Sequence, residues 1–260
     1  MMTMKRYLSL AGLVTAAALS ACDYEKNQVQ DIAGPAPAAR IKFFNFGVGT
    51  PGVNFYANDR KMTAISSATG AESTTGVAQG LAASGGFYNG IEPGTYAVTG
   101  KIAATTDKDL AISNVSATIA AGKSYSYFVS GIYNTTAKTA DAFIVEDAIP
   151  AQDYAVAYVR FVNAISNSQP MTLSITNSTT GAVIAIGTAV AYKGGGAFVA
   201  VPPGVYDLRT RVTGASTDAI TRLAVTFTDG RVYTIASRGD ITVTGTTSAN
   251  RPQLDNTANF

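Results

Sequence analysis

The feature that most restricts the fold of this chain is a long internal repeat. Residues 40–45 (RIKFFN) match residues 158–163 (YVRFVN) at a shift of 118 (163 − 45), and residues 91–96 (IEPGTY) match 201–206 (VPPGVY) at a shift of 110 (206 − 96). The shift changes only between matched blocks, so the loops differ in length while the elements persist. Each copy has roughly 100 residues, the size of one sandwich domain.

The periodicity within each copy is that of β-strands. In the second copy, Asp207, Arg209 and Arg211 alternate with apolar or small residues. A period of two is typical of half-buried strands, and no long stretch has the helical period. We therefore predict an all-β chain with two tandem antiparallel β-sandwich domains, at residues 39–150 and 151–260.

Two short turns within the copies predict β-hairpins. Ala121-Gly122 separates the strand-like segments 115–119 and 125–129, and Asp229-Gly230 occupies the corresponding place in the second copy. An Asp-Gly pair suits the positive φ of a type I′ hairpin turn. We expect the strands that flank each turn to be neighbours in one sheet.

A Pro-Gly-x-Tyr element occurs once in each copy and predicts a structural turn before a strand. Proline presets φ, glycine accepts a positive φ, and the tyrosine buries its ring. The tyrosine hydroxyl then needs a partner, for which we expect backbone at a sheet corner. The residues are Pro93, Gly94 and Tyr96 in the first copy and Pro203, Gly204 and Tyr206 in the second.

The N-terminus has the layout of a bacterial lipoprotein signal. Basic residues precede an apolar stretch at residues 7–19, and Leu19-Ser20-Ala21-Cys22 resembles the lipobox, in which the cysteine becomes acylated after cleavage. We predict a signal peptide at residues 1–21, lipidation of Cys22 and a flexible tether at residues 22–38. The expected location is the cell envelope, on the periplasmic face or at the outer membrane and cell surface. The alternative is an ordinary buried thiol.

The composition limits the partners and the catalytic chemistry that the chain can have. Loss of Lys5 and Arg6 with the signal leaves 17 cations (19 − 2) against 17 anions, so nucleic acid is not an expected partner. The chain has no histidine and its single cysteine is assigned to the anchor, which removes the commonest general base and the commonest zinc ligands. We predict no catalytic residues, no metal site and no cofactor.

Carboxylate chemistry survives this elimination, because glycosidases need only two acidic side chains. The acidic candidates lie in turn-like or terminal segments, and nothing in the sequence marks two of them as a facing pair. They are Asp107, Asp109, Glu146 and Asp147. A carboxylate-based hydrolase is therefore the third of three functional hypotheses.

The matched blocks together resemble domain-of-unknown-function family 4397, whose members occur singly and in tandem in bacterial lipoproteins and secreted surface proteins. The resemblance depends on residues 40–45, 53–56 and 121–125 and on the Pro-Gly-Thr-Tyr turn, and it covers about residues 39–148 and 154–260. It implies an immunoglobulin-like β-sandwich and no established activity. Family members often carry a histidine where this chain has Asn45 and Asn163, so no role of that histidine transfers.

Two segments are candidates for recognition. Arg209, Arg211 and Arg222 form a possible basic patch for an acidic glycan or lipid headgroup, or serve solubility and edge protection. Residues 63–86 are rich in small residues and are either a recognition loop or an insertion. This stretch ends in Gly85-Gly86, which we align with residues 194–196 as a bend before a strand.

These observations favour a lipid-anchored envelope protein whose non-catalytic sandwiches act as an interaction or spacer module. Its expected partners are the membrane, through the N-terminal lipid, and an envelope protein or glycan. The second hypothesis is a glycan-binding or adhesion module for nutrient capture.

Overall fold

The computed structural model describes residues 38–63 and 75–259. The signal peptide, Cys22, the tether up to residue 37 and residues 64–74 of the long loop lie outside the described residues. The described residues cluster as one compact unit. Within the described ranges, no helix combines the length and apolarity that a membrane span requires.

The all-β sandwich prediction is confirmed. In the first sandwich one sheet has the order β4-β1-β8-β9, with β5 also paired to β1, and the other has the order β3-β2-β6-β7. A short 3-10 segment, Ala83–Gly86, follows β4. The strands are β1 (Ala39–Asn45), β2 (Val53–Ala57), β3 (Arg60–Lys61), β4 (Leu81–Ala82), β5 (Asn89–Ile91), β6 (Gly94–Ile102), β7 (Ala111–Ile119), β8 (Ser124–Asn134) and β9 (Thr139–Glu146).

The second sandwich has the same strand order in both of its sheets. One sheet is β13-β10-β17-β18, with β14 also paired to β10, and the other is β12-β11-β15-β16. Each sheet takes its strands from one half of the chain only. The strands are β10 (Ala157–Asn163), β11 (Met171–Asn177), β12 (Val183–Ala185), β13 (Gly194–Gly195), β14 (Val199–Val201), β15 (Gly204–Val212), β16 (Ile220–Phe227), β17 (Val232–Arg238) and β18 (Gln253–Ala258).

The two predicted hairpins are wrong. β7 pairs with β6, whereas β8 pairs with β1 and β9, so the turn at Gly122 carries the chain from one sheet to the other. Gly122 and Gly230 do adopt the positive φ expected of them, at 73° and 67°. A turn residue reports the local reversal of the chain, but it does not report which sheet receives the next strand.

One strand pair in each sandwich is parallel, which differs from the expected antiparallel sheets. β1 pairs with β8 from Arg40↔Ser124 to Asn45↔Val129, and β10 pairs with β17 in the same way. Alternation along a strand encodes its buried face and not the direction of its neighbour. The sequence pattern therefore could not distinguish the two arrangements.

The tyrosine of each Pro-Gly-x-Tyr turn binds backbone at the start of its strand. The Tyr96 hydroxyl donates to the Glu92 carbonyl at 2.9 Å, and the Tyr206 hydroxyl donates to the Pro202 carbonyl at 2.8 Å. Gly94 has the expected positive φ, at 159°, whereas Gly204 is not among the positive-φ glycines of the described residues. A Cβ at either glycine would lie 3.4 Å from the tyrosine ring, an ordinary van der Waals contact.

Candidate functional site

The two sandwiches pack on each other through the sheets that contain β1 and β10. In β1, Ile41 and Phe43 point into the core of the first sandwich. The alternate residues Lys42 and Phe44 point the other way, yet they are only 0% and 1% exposed. Both faces of β1 are therefore covered, one by its own sandwich and one by the second.

An aromatic cluster lies in this interface. The Phe128 ring stacks between Phe44 and Phe143, with ring centroids 4.5 and 5.0 Å apart. Stacked rings of this kind add to the energy of burial. The second sandwich meets these large rings with small side chains. We call the four phenylalanine rings, together with the small residues that they meet, the aromatic cluster. It comprises Phe44, Phe46, Phe128, Phe143, Val162, Ala164 and Ala236.

A buried ion pair, Arg160 with Asp147, crosses the interface beside the aromatic cluster. The two side chains are 2% and 0% exposed. The Arg160 guanidinium also donates to the Glu146 carbonyl and to the Thr234 hydroxyl, both at 3.0 Å. Full partnering of this kind offsets the desolvation of buried charges.

Asp147 is shared by several donors from its own sandwich. Its carboxylate accepts hydrogen bonds from Ser126, at 2.8 Å, and from the Tyr88 hydroxyl. Burial, followed by the nearby Asp147 charge, raises the pKa of Tyr88 above its usual range. The tyrosine therefore stays a neutral donor.

The Lys42 side chain reaches across the interface in the opposite direction, from the first sandwich into the second. Its ammonium donates to the Asn259 side-chain oxygen and lies 4.7 Å from the Tyr88 ring centroid. Burial lowers the pKa of Lys42 to about 8, although the Asp147 charge opposes this shift. We call Lys42, Tyr88, Asp147, Arg160, Thr234 and Asn259 the polar cluster.

The contacts that Arg160 and Lys42 make across the interface are equivalent, so the two halves are related by an approximate two-fold axis. Lys42 and Arg160 pair with equivalent residues, Ser126 and Thr234, of their neighbouring strands. Asp147 N donates to the Ser124 carbonyl, and Asn259 N donates to the Val232 carbonyl, both at 2.7 Å. Each half therefore sends one cation to the residue that follows the last strand of the other half.

The same relation places β9 and β18 at opposite edges of the interface, and the two edges differ. At β9 the edge is sealed by Tyr192 and Lys193 of the second half. The Tyr192 ring contacts Phe143 at 6.2 Å between centroids, and its hydroxyl hydrogen-bonds Asp141 at 3.0 Å and Ser130 at 2.8 Å. Lys193 donates to Asp141 at 2.7 Å.

Hydrogen bonds from Lys193 and Tyr192 lower the pKa of Asp141, outweighing its partial burial. Burial raises the pKa of Tyr192. The tyrosine therefore remains a neutral donor beside an ionised carboxylate, which suits a stable seal.

At β18 the corresponding edge has no counterpart of the Tyr192 ring, although Gln79 donates to the Asn250 side-chain oxygen at 2.7 Å. Gln79 and Gly80 stand where the other edge has Tyr192 and Lys193, since the strand pairs Asn45↔Leu81 and Asn163↔Gly194 are equivalent. Gly80 and Lys193 share a left-handed φ, 79° and 67°. A Cβ at Gly80 would lie 2.9 Å from the Arg238 guanidinium, so a side chain there would displace the end of Arg238.

A groove of about 480 Å³ runs along this edge, and we call it the open groove. Its walls include Leu81 and Phe87, which are 56% and 77% exposed. Its lining comes from both sandwiches and comprises Phe44, Phe46, Gly80, Leu81, Ala82, Gly85, Gly86, Phe87, Asp255, Asn256, Thr257 and Ala258.

An insertion in the first half accompanies the groove. Six residues (83–88) connect the β4 and β5 pairings to β1, whereas three residues (196–198) make the same connection to β10. The predicted alignment of Gly85-Gly86 with residues 194–196 is therefore wrong, because Leu81 and Ala82 occupy those places. The extra residues form the 3-10 segment that precedes Phe87.

The three arginines of the predicted basic patch do not act together. Arg209 and Arg211 both contact the Asp218 carboxylate, at 3.6 and 2.8 Å. Arg222 instead donates to the Leu254 carbonyl at 2.7 Å. The first two arginines are therefore partly neutralised, and the third joins β16 to β18.

The acidic residues considered for catalysis are engaged elsewhere. Asp107 pairs with Lys138 at 2.6 Å, and Glu146 pairs with Lys123 at 2.7 Å. Across residues 38–63 and 75–259, no three His, Cys, Asp or Glu side chains come together as a metal site would require.

Comparison with known proteins gives little beyond the fold. No family model matches the chain, and no curated protein matches it. Among solved structures, the chain is similar to a protein of Bacteroides fragilis NCTC 9343 that is provisionally named a cell adhesion protein. The two are 8% identical over 86% of this chain and 98% of that chain, with a TM-score of 0.25.

Proposed function

We propose that the chain is a lipid-anchored protein of the cell envelope whose two sandwiches form one non-catalytic interaction module. Cys22 carries the lipid, residues 1–21 are removed, and residues 22–38 tether the sandwiches to the periplasmic or outer face of a membrane. Its resemblance to family 4397 is part of the same proposal.

The face-to-face packing of the two sandwiches supports an interaction module over a spacer. Lys42 and Arg160, each the fourth residue of its strand, belong to the polar cluster. Phe44 and Val162, each the sixth residue, belong to the aromatic cluster. β1 and β10 therefore run in the same direction, side by side. A spacer gains length from domains joined end to end, whereas this arrangement gains width and a composite surface.

The engagement of the acidic side chains supports a non-catalytic role. Asp147, Glu146 and Asp107 each pair with a cation from another element. A general acid or base must have its carboxyl group free to reach the substrate, whereas these three carboxylates each contact a cation of the chain itself.

The anchor is tested with Cys22→Ala in the full-length protein. We expect the variant to lose the acyl mass and to remain uncleaved or to leave the membrane fraction, as measured by mass spectrometry and fractionation. Cys22→Ser serves as the conservative control, because it keeps the size but not the thiol. An acylated, membrane-bound Cys22→Ala protein contradicts the proposed anchor.

The interaction role is tested by treating intact cells with an amine-reactive crosslinker. We expect a discrete complex with another envelope polypeptide, detected by immunoblotting for the chain. A glycan array probed with the full-length protein in detergent provides the competing measurement. Saturable glycan binding without a protein complex favours the glycan-binding module instead. If neither a complex nor glycan binding is found, the interaction role is contradicted and the anchor is not.

A further inference from the structure

We propose that the open groove receives an extended segment of a partner protein, which adds one strand to the free edge of β18 and places an apolar side chain beside Phe87. The inference rests on the proposed interaction function and names the site and the kind of partner. Four observations carry it: the direction of the β18 backbone, the exposed apolar walls, the sealed counterpart edge and the absence of free charge in the lining.

The backbone of β18 has donors and acceptors that face away from its sheet. The Asn259 N–H donates to β17 at the Val232 carbonyl, and backbone groups alternate in direction along an antiparallel strand. The groups of Leu254, Asn256 and Ala258 therefore face outward. Arg222 already binds the Leu254 carbonyl, which confirms that direction and leaves Asn256 and Ala258 as the free part of the edge among the described residues.

The apolar walls of the groove continue an interface that is already formed. Phe44 and Phe46 belong to the aromatic cluster and also line the groove. Leu81 and Phe87 extend this apolar surface outward to solvent. Exposed apolar surface beside an unpaired strand edge is typical of a site that binds another chain.

The opposite edge of the interface shows which kind of group fills such a position. There the chain lays its own segment over β9, with the Tyr192 ring on Phe143 and Gly195 against Val145. At β18 the equivalent residues, Gln79 and Gly80, bring no ring. A partner segment with a large apolar side chain supplies at β18 what Tyr192 supplies at β9.

The chemistry of the groove favours a polypeptide over a lipid headgroup or a glycan. The charged residue in its lining, Asp255, is paired with Arg238, so no free cation is available for an anionic headgroup. Alternating outward N–H and C=O groups are matched by another extended backbone, as in strand addition. A second copy paired antiparallel through β18 would reverse the direction of β1 between the two copies, unlike two copies held in one membrane through their N-termini.

The first experiment places the photo-crosslinking amino acid p-benzoylphenylalanine at position 87 of the full-length protein in cells. Position 223 is the matched control, because Leu223 is also exposed, at 62%, but lies on β16 outside the groove. We expect one adduct with a different polypeptide from position 87 and none from position 223. Mass spectrometry of the adduct should map the link to a segment in which apolar and polar residues alternate.

The second experiment removes the outward N–H group without changing the pairing of β18 with β17. Asn256→Pro deletes this donor, and proline is tolerated on edge strands. Asn256→Ala keeps the donor and controls for the side chain. We expect the adduct to fall at least tenfold in Asn256→Pro and to persist in Asn256→Ala. Phe87→Asp, with the photo-crosslinker moved to position 81, tests the apolar wall if the proline variant misfolds.

The outcomes separate this inference from the proposed function. An adduct at twice the mass of the chain identifies a second copy as the occupant and overturns the inference, as does an adduct that is insensitive to both Asn256→Pro and Phe87→Asp. If the amine-reactive crosslinker yields a complex while position 87 yields none, the interaction function holds and the groove does not carry it. If neither reagent yields a complex, both proposals fail.

Discussion

At their shared interface the two sandwiches have the same strand order and opposite side-chain choices. Phe44 and Phe128 of the first half correspond to Val162 and Ala236 of the second, so large rings meet small side chains. A two-fold interface between identical halves would be self-complementary. Here the halves have become complementary to each other, and one consequence is that the edge at β9 is sealed while the edge at β18 stays open.

The largest expected effect on stability comes from removing the residues of the polar cluster that accept the two cations across the interface. Asp147→Ala leaves the Arg160 guanidinium buried without its counter-ion, and we expect a loss of about 4 kcal/mol in the free energy of unfolding. Asn259→Ala at the equivalent position removes a neutral acceptor and should cost about 2 kcal/mol. Urea unfolding of both variants measures the difference. Equal losses would show that the two contacts across the interface are energetically alike.

The stability of the interface should depend on the large rings of the aromatic cluster. Phe128→Ala removes the central ring of the stack, and we expect a loss of about 3 kcal/mol. Phe87→Ala removes a ring of the same size from the open groove and should change stability by less than about 0.5 kcal/mol, because the ring is mostly solvated. A comparable loss in the two variants would place Phe87 in the folded core instead of at a binding surface.

The buried Lys42 should make the stability of the fold depend on pH, because burial lowers its pKa to about 8. Between pH 8 and pH 10 the unfolded chain binds more protons at Lys42 than the folded chain, so stability rises with pH in this window. Relative to Lys42→Met, the wild type should gain about 2 kcal/mol from pH 8 to pH 10. Urea unfolding at several pH values measures this, and a constant difference would contradict the lowered pKa.

The smallest expected effect concerns the sealed edge. Tyr192→Phe keeps the ring on Phe143 but loses the hydrogen bonds to Asp141 and Ser130, which should cost about 1 kcal/mol. Tyr154→Phe is the control, because that tyrosine is 74% exposed and should be neutral. Thermal unfolding compares the two. A neutral Tyr192→Phe would indicate that packing alone seals the β9 edge.

The period-two pattern was sufficient to predict an all-β sandwich fold, because alternation follows directly from one buried face per sheet. Alternation alone does not show that the face of β1 that carries Lys42 is also buried. That face is covered by the second sandwich, and the aromatic residue Phe44 on the same face was the signal that the sequence offered. Sheet membership and parallel pairing depend on contacts between distant segments, which local alternation does not encode.

The candidate site was harder to predict than the fold. The sequence pattern indicated the arginines of the predicted basic patch as a candidate binding site. The open groove is instead formed by an insertion before Phe87 and by β18. The β18 sequence, QLDNTA, is mostly polar and matches no block of the repeat. Among the described residues of the stretch 63–86, the ones that line the groove lie between Gly80 and Gly86, and they do so together with a strand that lies about 170 residues later.

The parallel pairing of β1 with β8 has a mechanical consequence. In a chain anchored through Cys22, tension between the membrane and a protein bound at the groove enters the module at Ala39 and acts along β1. The six residue pairs from Arg40↔Ser124 to Asn45↔Val129 then lie across the pulling direction and carry the load in shear. They must yield together and not one after another, so this strand pair resists such tension more strongly than a pair that opens from one end.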